Sequence, residues 1–414
     1  MPSKLSSREK KCRLCFSKKI KEVLDLGSQP LANNLIKNKN KKEKKFPLKV
    51  FFCNSCNAAQ LSETINPRIL FNNYFWITST SSTANRFSHK FYSKIINLTK
   101  IKKLFVVEIA SNDGTFLLPF KNNKCRVVGV DPAKNICKIA NRRKIPTINS
   151  FFDKKTSNLI KKKYGKSNII FARNVIAHVK NIHNLVEASY NLITDDGIFA
   201  VEFHYAKKIL EELQYDSIYH EHLFYFSIKP IKKLFNKHGF YLFDAFKSPI
   251  SGGALVLIFS KKKRPSSRRL NRYEKDEIDK KINSLNTWLK FSKKVTNHSK
   301  KFREKIEFYK KKYGKFPAYG ASARSSTILN FSKLNERHFN FIADKNPLKV
   351  NFFTPGTKLK IVNSLTFLKN VSKYNVVLLL AWNFKKEILN ELKMNKFKGK
   401  VIMPLPKKIS IKNI

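Results

Sequence analysis

The chain has 414 residues, enough for two or three domains rather than one, and its 42% hydrophobic and 13% aromatic content excludes a disordered polycation. Its 84 Lys and Arg against 28 Asp and Glu give a formal charge of +56, a field that attracts phosphates of every kind. The lysines are scattered through every segment, so the charge reads as compositional drift. A nucleic-acid reader, which gathers its basic residues on one patch, is not expected. The N-terminus has no apolar core of signal-peptide length, and the most apolar run, NVVLLLAW at 375–382, is too short to span a bilayer. Six cysteines in so long a chain do not make a disulfide scaffold. A cytoplasmic, soluble protein is the expectation.

Four cysteines come first, as Cys12-x-x-Cys15 and Cys53-x-x-Cys56. Two such pairs supply four thiolates and suit a closed, structural zinc site, with a small β-rich insert expected between them. The competing redox reading needs a CxxC that opens a βαβ pattern, and neither pair does so. Residues 104–131, LFVVEIASNDGTFLLPF followed by CRVVGVD, then read as strand, polar turn, helix and strand, the beginning of a doubly wound α/β sheet. Further strands are expected at NIIFA (168–172), GIFAVEF (197–203) and ALVLIF (254–259). KKKRPSSRR from 261 reads as a solvated break before one or two long helices. There Ile278, Ile282, Leu285, Trp288 and Leu289 recur at helical spacing as a packing stripe. A second α/β unit follows, with FPAYGASARSSTILNF, FNFIAD and VVLLLAW as its strands and first turn.

Glu108, the turn Ala110–Gly114 (Ala110, Ser111, Asn112, Asp113, Gly114) and Asp131 form a cofactor set. Small residues let a ligand approach the backbone, and an acid ending the second strand can accept two ribose hydroxyls. The pattern is not G-x-G-x-x-G, which argues against a pyrophosphate cradle and for S-adenosylmethionine, a donor without phosphate and with a positive sulfonium. A turn that is small and polar only for packing is the alternative. Asn174 and His178, after the next strand, fall where such sheets flank the adenine or the sulfonium; a structural histidine fits position 178 equally. In the second unit Ser322, Arg324, Ser325 and a helix N-terminus could hold a diphosphate, and Asp344 ends the next strand. Packing alone is the competing reading there too.

At 219–222 the chain reads Tyr-His-Glu-His, within QYDSIYHEHLFYFS. With YFWITSTSS (74–82), EIASNDGTFL (108–117), GGALV (252–256), YGASAR (319–324), ADKNPLK (343–349), PGT (355–357) and LAWNF (380–384), this segment resembles the three-part sugar C-methyltransferases that act on nucleotide-linked 4-keto-deoxysugars. The resemblance implies three parts: a small N-terminal zinc module, a central class I, Rossmann-like methyltransferase domain, and a C-terminal Rossmann-like domain that binds the nucleotide sugar. It also implies that His222 is a base, with Glu221 and Tyr219 orienting the substrate and hydrogen-bonding its ketone. Tyr74 is a candidate substrate contact. Ala110 replaces a usual Gly, a mild change if φ there is negative; Trp76 stands for a Tyr, Ser251 for a His and Arg324 for a Lys. A metal at His220 and His222, or a purely structural polar cluster, are the other readings of Tyr-His-Glu-His.

The expected organisation is a zinc module over 1–75, a methyltransferase domain over 76–260, a helical linker over 261–312 and the second Rossmann-like domain over 313–414. The expected activity is C-methylation of a nucleotide-diphosphate 4-keto-deoxysugar beside its ketone, with C3 as the carbon. Methylation of another small acceptor, such as a sugar hydroxyl, and a zinc-containing nucleic-acid binder are the alternatives. Monomer and dimer are both compatible with the sequence.

Overall fold

A computed structural model describes residues 5–71 and 77–414. Tyr74 and Trp76 lie outside the described residues. The N-terminal part contributes strands β1 (Ser6–Arg8), β2 (Ile20–Pro30), β3 (Lys45–Cys53), β4 (Ala59–Leu61) and β5 (Glu63–Ile65). The central part contributes β6 (Phe105–Ile109), β7 (Arg126–Asp131), β8 (Thr147–Asn149), β9 (Ser167–Arg173), β10 (Ile193–His204), β11 (Phe224–Tyr225), β12 (Tyr241–Ser248) and β13 (Ala254–Ser260). The C-terminal part contributes β14 (Phe316–Tyr319), β15 (Phe339–Asp344), β16 (Ile361–Asn363), β17 (Val376–Leu379), β18 (Lys400–Met403) and β19 (Ser410–Asn413).

The central sheet runs β12-β13-β10-β9-β6-β7-β8. Its members from β10 to β8 are parallel, while β13 runs antiparallel to both neighbours. Strand β6, FVVEI, is buried at every position, as a strand covered by helices on both faces must be. The order reverses between β6 and β9. The carboxyl ends of those two strands therefore flank the crevice where open α/β sheets hold ligands. The C-terminal sheet runs β16-β15-β14-β17-β18-β19 and reverses in the same way, between β14 and β17. The expected α/β architecture with two Rossmann-like halves is what the chain adopts.

Three packing features are not legible in the sequence. The zinc sheet runs β11-β4-β3-β2, so Phe224 and Tyr225 of the central part pair with Gln60 and Ala59. The N-terminal module is thus completed by a strand from far downstream. The helical segment expected as a linker is core: Trp288, Phe291, Val295, Phe302 and Ile306 of helix Leu285–Tyr313 are buried in one cluster with Val23 and Val50 of the zinc sheet and Leu378 of the last sheet. The stripe itself is broken, because Ile278 is 73% exposed. Helix Arg268–Asp279 ends just after it, and Lys281 takes a left-handed φ of 49°, so the next helix starts in a new phase. Among the described residues no helix is long and apolar enough to cross a membrane.

Candidate active site

The cysteines expected as ligands converge. The sulfurs of Cys12, Cys15, Cys53 and Cys56 all lie within 4.8 Å of one another, with Cys12–Cys56 and Cys15–Cys53 at 3.5 Å. Four thiolates bound tetrahedrally at about 2.3 Å put their sulfurs roughly 3.8 Å apart, so the set fits zinc with no ligand position left over. Between the first pair, Arg13 donates from Nη1 to the Leu61 carbonyl at 2.6 Å and from Nη2 to Thr64 Oγ1 at 2.8 Å. Leu61 in turn donates its amide to the Leu223 carbonyl at 2.9 Å. The zinc knuckle thus grips the residue next to His222.

At the end of β6 the turn 110–114 is wound through left-handed conformations: Ala110 at φ 54°, Asn112 at 49° and Gly114 at 75°. The change at 110 is therefore not mild, since an alanine held in this region costs about 1 kcal/mol or more. The turn's amides are spent internally, Ser111 on the Val130 carbonyl, Asn112 on Asp131 Oδ2 and Gly114 on the Ser111 carbonyl. They cannot cradle a phosphate. Glu108 Oε2 and Ser111 Oγ are buried without a hydrogen-bond partner, which marks polar capacity left for a ligand. Burial holds the Glu108 carboxyl well above its ordinary range, with Asp113, Asp131 and Glu202 near enough to add to the rise and Arg173 opposing it. A turn that excludes phosphate and leaves buried hydrogen-bonding groups unused fits the phosphate-free S-adenosylmethionine.

Not every residue of the expected cofactor set adds to that capacity. Asp113 is fully buried and accepts from Ser79 N and from Thr115 N and Oγ1, with Arg143 Nη1 at 3.0 Å. Asn112 Oδ1 accepts both the amide and the hydroxyl of Thr78. These two side chains tie down the serine-rich loop. Asn174, left-handed at φ 51° just past β9, donates its amide to the Glu202 carbonyl at 2.8 Å. A strained residue at the carboxyl edge of a sheet is a frequent companion of a ligand site.

Tyr-His-Glu-His sits on the turn before β11. His222 Nδ1 is 2.7 Å from the Ser217 carbonyl and must donate to it; the other ring nitrogen, Nε2, is then a bare acceptor, 2.9 Å from the Tyr219 hydroxyl. Burial, with His178 next in weight, holds the His222 pKa well below the ordinary histidine value, so the ring is neutral at neutral pH. The His178 ring lies edge-on to it, with centroids 4.8 Å apart. Glu221 is 4% exposed, and burial pushes its carboxyl up to about 7. His220 points elsewhere: it is buried and donates to the Phe46 carbonyl at 3.2 Å. The two histidines therefore do not share a metal. Among the described residues only the four cysteines form a group of three or more potential ligands. Tyr215 is core too, donating to His298 Nδ1 at 3.0 Å.

The C-terminal half reaches this site through residues read as a diphosphate cradle. Arg324 turns toward the central domain, where Nη2 donates to the Ser251 carbonyl at 2.7 Å and lies 3.4 Å from both ring nitrogens of His204. Its Nη1 is 3.8 Å from Asp216 Oδ2, the atom that also accepts from Trp382 Nε1 at 2.8 Å. Gly252 is required here, because a Cβ would meet the Trp382 ring at 2.6 Å. Ser322 and Asp344 stay in their own turn: Ser322 closes a capping box with Ser325, and Asp344 accepts from the amides of Ala321 and Asn346. Sequence reasoning missed Asn33, whose Nδ2 donates to Glu221 Oε1 at 2.6 Å; a turn asparagine carries no local signal of a contact so far along the chain.

Comparison with known proteins agrees with this layout. Residues 12–71 match the family model "Putative zinc binding domain", 84–244 match "Methyltransferase domain", and 249–406 match "C-methyltransferase C-terminal domain". C-methyltransferase NovU of Streptomyces niveus is 29% identical over 404 residues, 95% of each chain. Solved structures that resemble it include magnesium protoporphyrin IX methyltransferase of Synechocystis with bound SAM, at 11% identity over 43% of this chain and 79% of that one, TM-score 0.33. Another is an S-adenosylmethionine-dependent methyltransferase of Clostridium acetobutylicum, at 11% identity over 45% and 94%, TM-score 0.36. With a four-thiolate knuckle, a donor basin and a third domain, matched in that order along the sequence by the zinc-binding, methyltransferase and C-methyltransferase C-terminal models, the chain is an S-adenosylmethionine-dependent methyltransferase similar along its length to a C-methyltransferase.

Proposed function

We propose that the acceptor is a nucleotide-diphosphate 4-keto-deoxysugar, deprotonated beside its ketone at C3 and methylated on that carbon. The observation that carries this reading is the neutral His222, whose Nε2 is a bare acceptor beside the Tyr219 hydroxyl. A carbon acid next to a ketone needs a base that is unprotonated at neutral pH and a donor for the oxygen that gains charge. His222 Nε2 takes the proton, and the electron pair of the broken C–H bond moves through the new C=C bond to the ketone oxygen. The Tyr219 hydroxyl, released from Nε2, donates to that oxygen. S-Adenosylmethionine, which Glu108, Ser111, Asp131 and Asn174 would hold, would supply an electrophilic methyl group whose S–C bond breaks as the C–C bond forms, with S-adenosylhomocysteine as the leaving group. Glu221 orients a substrate hydroxyl, and Arg324 closes the pocket from the C-terminal half. Tyr74 remains a proposed substrate contact.

Incubation with a thymidine-diphosphate 4-keto-6-deoxyhexose in D₂O, without donor, should wash deuterium into the carbon beside the ketone. Adding donor should then give a C-methyl product. His222→Ala should cut both by about 100-fold or more while leaving donor affinity intact. Methyl transfer to a hydroxyl without wash-in would replace this reading by O-methylation.

A further inference from the structure

Glu221 is a buried carboxyl in the catalytic segment, and what holds it comes from another domain. Asn33 lies in the turn after β2, on the zinc module. The turn is fixed by Asn34 N to the Leu31 carbonyl at 3.0 Å and by Leu35 N to the Asn33 carbonyl at 2.9 Å. Just beyond it, Ile36 and Phe353 of the C-terminal half exchange backbone hydrogen bonds at 3.1 and 2.8 Å. The amide is thus carried on a turn braced from two sides and aimed at Glu221 Oε1. Flanking residues are pinned to the same module, His220 to Phe46 and Leu223 to Leu61, so the carboxyl cannot swing away with its backbone.

The titratable groups nearest Glu221 are its chain neighbours Tyr219, His220 and His222, and His178, which hydrogen-bonds the Glu221 backbone. All three rings are held neutral at working pH by burial, which lowers His178 and His220 to about 4 and His222 well below its ordinary value. Among the described residues no lysine or arginine draws the carboxyl toward ionisation. Burial raises its pKa, and the Asn33 amide is what opposes the rise.

We propose that Asn33 is a positioning residue for methyl transfer: it fixes Glu221 Oε1 and favours the carboxylate, leaving Oε2 to accept a hydroxyl of the acceptor. The proposal rests on the sugar reading for its substrate, but its physical core, one amide sustaining one buried carboxylate, can be measured without any substrate.

Two measurements test it. In the first, Asn33→Ala is assayed for transfer to the thymidine-diphosphate 4-keto-6-deoxyhexose across pH 5.5–9. The expected result is a fall of about 10-fold in kcat/KM at pH 7, with the limb near pH 7 displaced upward. Donor affinity and zinc content should be unchanged, and Glu221→Gln should show no further loss when Asn33→Ala is added. In the second, urea midpoints are compared at pH 5 and pH 8. A carboxyl raised to about 7 in the folded state stabilises below its unfolded pKa and loses that contribution as pH rises through 7. Removing the amide raises it further, so Asn33→Ala should lose more stability between pH 5 and 8 than wild type, and Glu221→Gln should erase the difference. Asn33→Gln, which keeps the amide, checks that the turn still folds. Wild-type pH profiles in both assays would overturn the proposal; inactivity of wild type on the sugar, with the urea result intact, would overturn only the sugar reading.

Discussion

The two Rossmann-like halves share a local device and use it differently. In the first, Asp131 ends β7 and accepts the amides of Asn112 and Ala133, each at 2.9 Å. In the second, Asp344 ends β15 and accepts those of Ala321 at 2.8 Å and Asn346 at 2.9 Å. Each acid ties the loop after the first strand to the loop after the second. Beyond that they diverge. The first half leaves Glu108 Oε2 and Ser111 Oγ buried without partners. The second fills its crevice: Lys349 donates to the Ala321 carbonyl at 2.7 Å, and Ala381 sits against Gly320. One half keeps unused hydrogen-bonding capacity on its own turn for a ligand; the other spends its turn internally and sends Arg324 across, where Nη1 is buried without a hydrogen-bond partner. Equivalent topology does not make equivalent sites.

The sharpest way to break this comparison is to cut both acids. Asp131→Ala should weaken S-adenosylmethionine binding about 100-fold, equivalent to about 2.7 kcal/mol, whereas Asp344→Ala should leave donor affinity unchanged; calorimetric titration of the two variants decides it. Next is Gly320→Ala. Its φ is 104° and a Cβ there would stand 2.5 Å from the Ala381 methyl, so the C-terminal half should lose about 2–3 kcal/mol in urea unfolding. Arg324→Ala should lower methyl transfer about 10-fold with donor affinity unchanged, read as steady-state kinetics beside the same titration; a loss of donor binding would mean that the two halves share one site. The smallest effect belongs to Ala110→Gly. Relief of a left-handed alanine, less the backbone entropy that glycine adds, should raise stability by at most about 1 kcal/mol.

The sequence shows what local chemistry writes. Cysteine pairs, buried strands such as FVVEI and the polar turn between β6 and the next helix are set by residues a few positions apart, and the structure has them where the pattern puts them. Strand β12, YLFDAFKS, was not anticipated, because its polar Asp244 and Ser248 interrupt the apolar run; they are buried through Arg269 and Glu202. The pairing of Phe224 with Gln60, the Asn33–Glu221 bond and the direction of Arg324 depend on segments meeting from distant parts of the chain, which no periodicity reports. At Ala110 and Lys281 the deciding quantity is the sign of φ, set by the surrounding turn rather than by the residue.

The strand that completes the zinc sheet also imposes an order on synthesis. When β4 leaves the ribosome its partner edge is empty, and it stays so until Phe224 and Tyr225 have been made. At ordinary elongation rates that interval is roughly 10–30 s, during which a metal-loaded module presents an open edge suited to pairing with a neighbour. Arg13, gripping the Leu61 carbonyl from within the knuckle, ties that edge directly to the metal site.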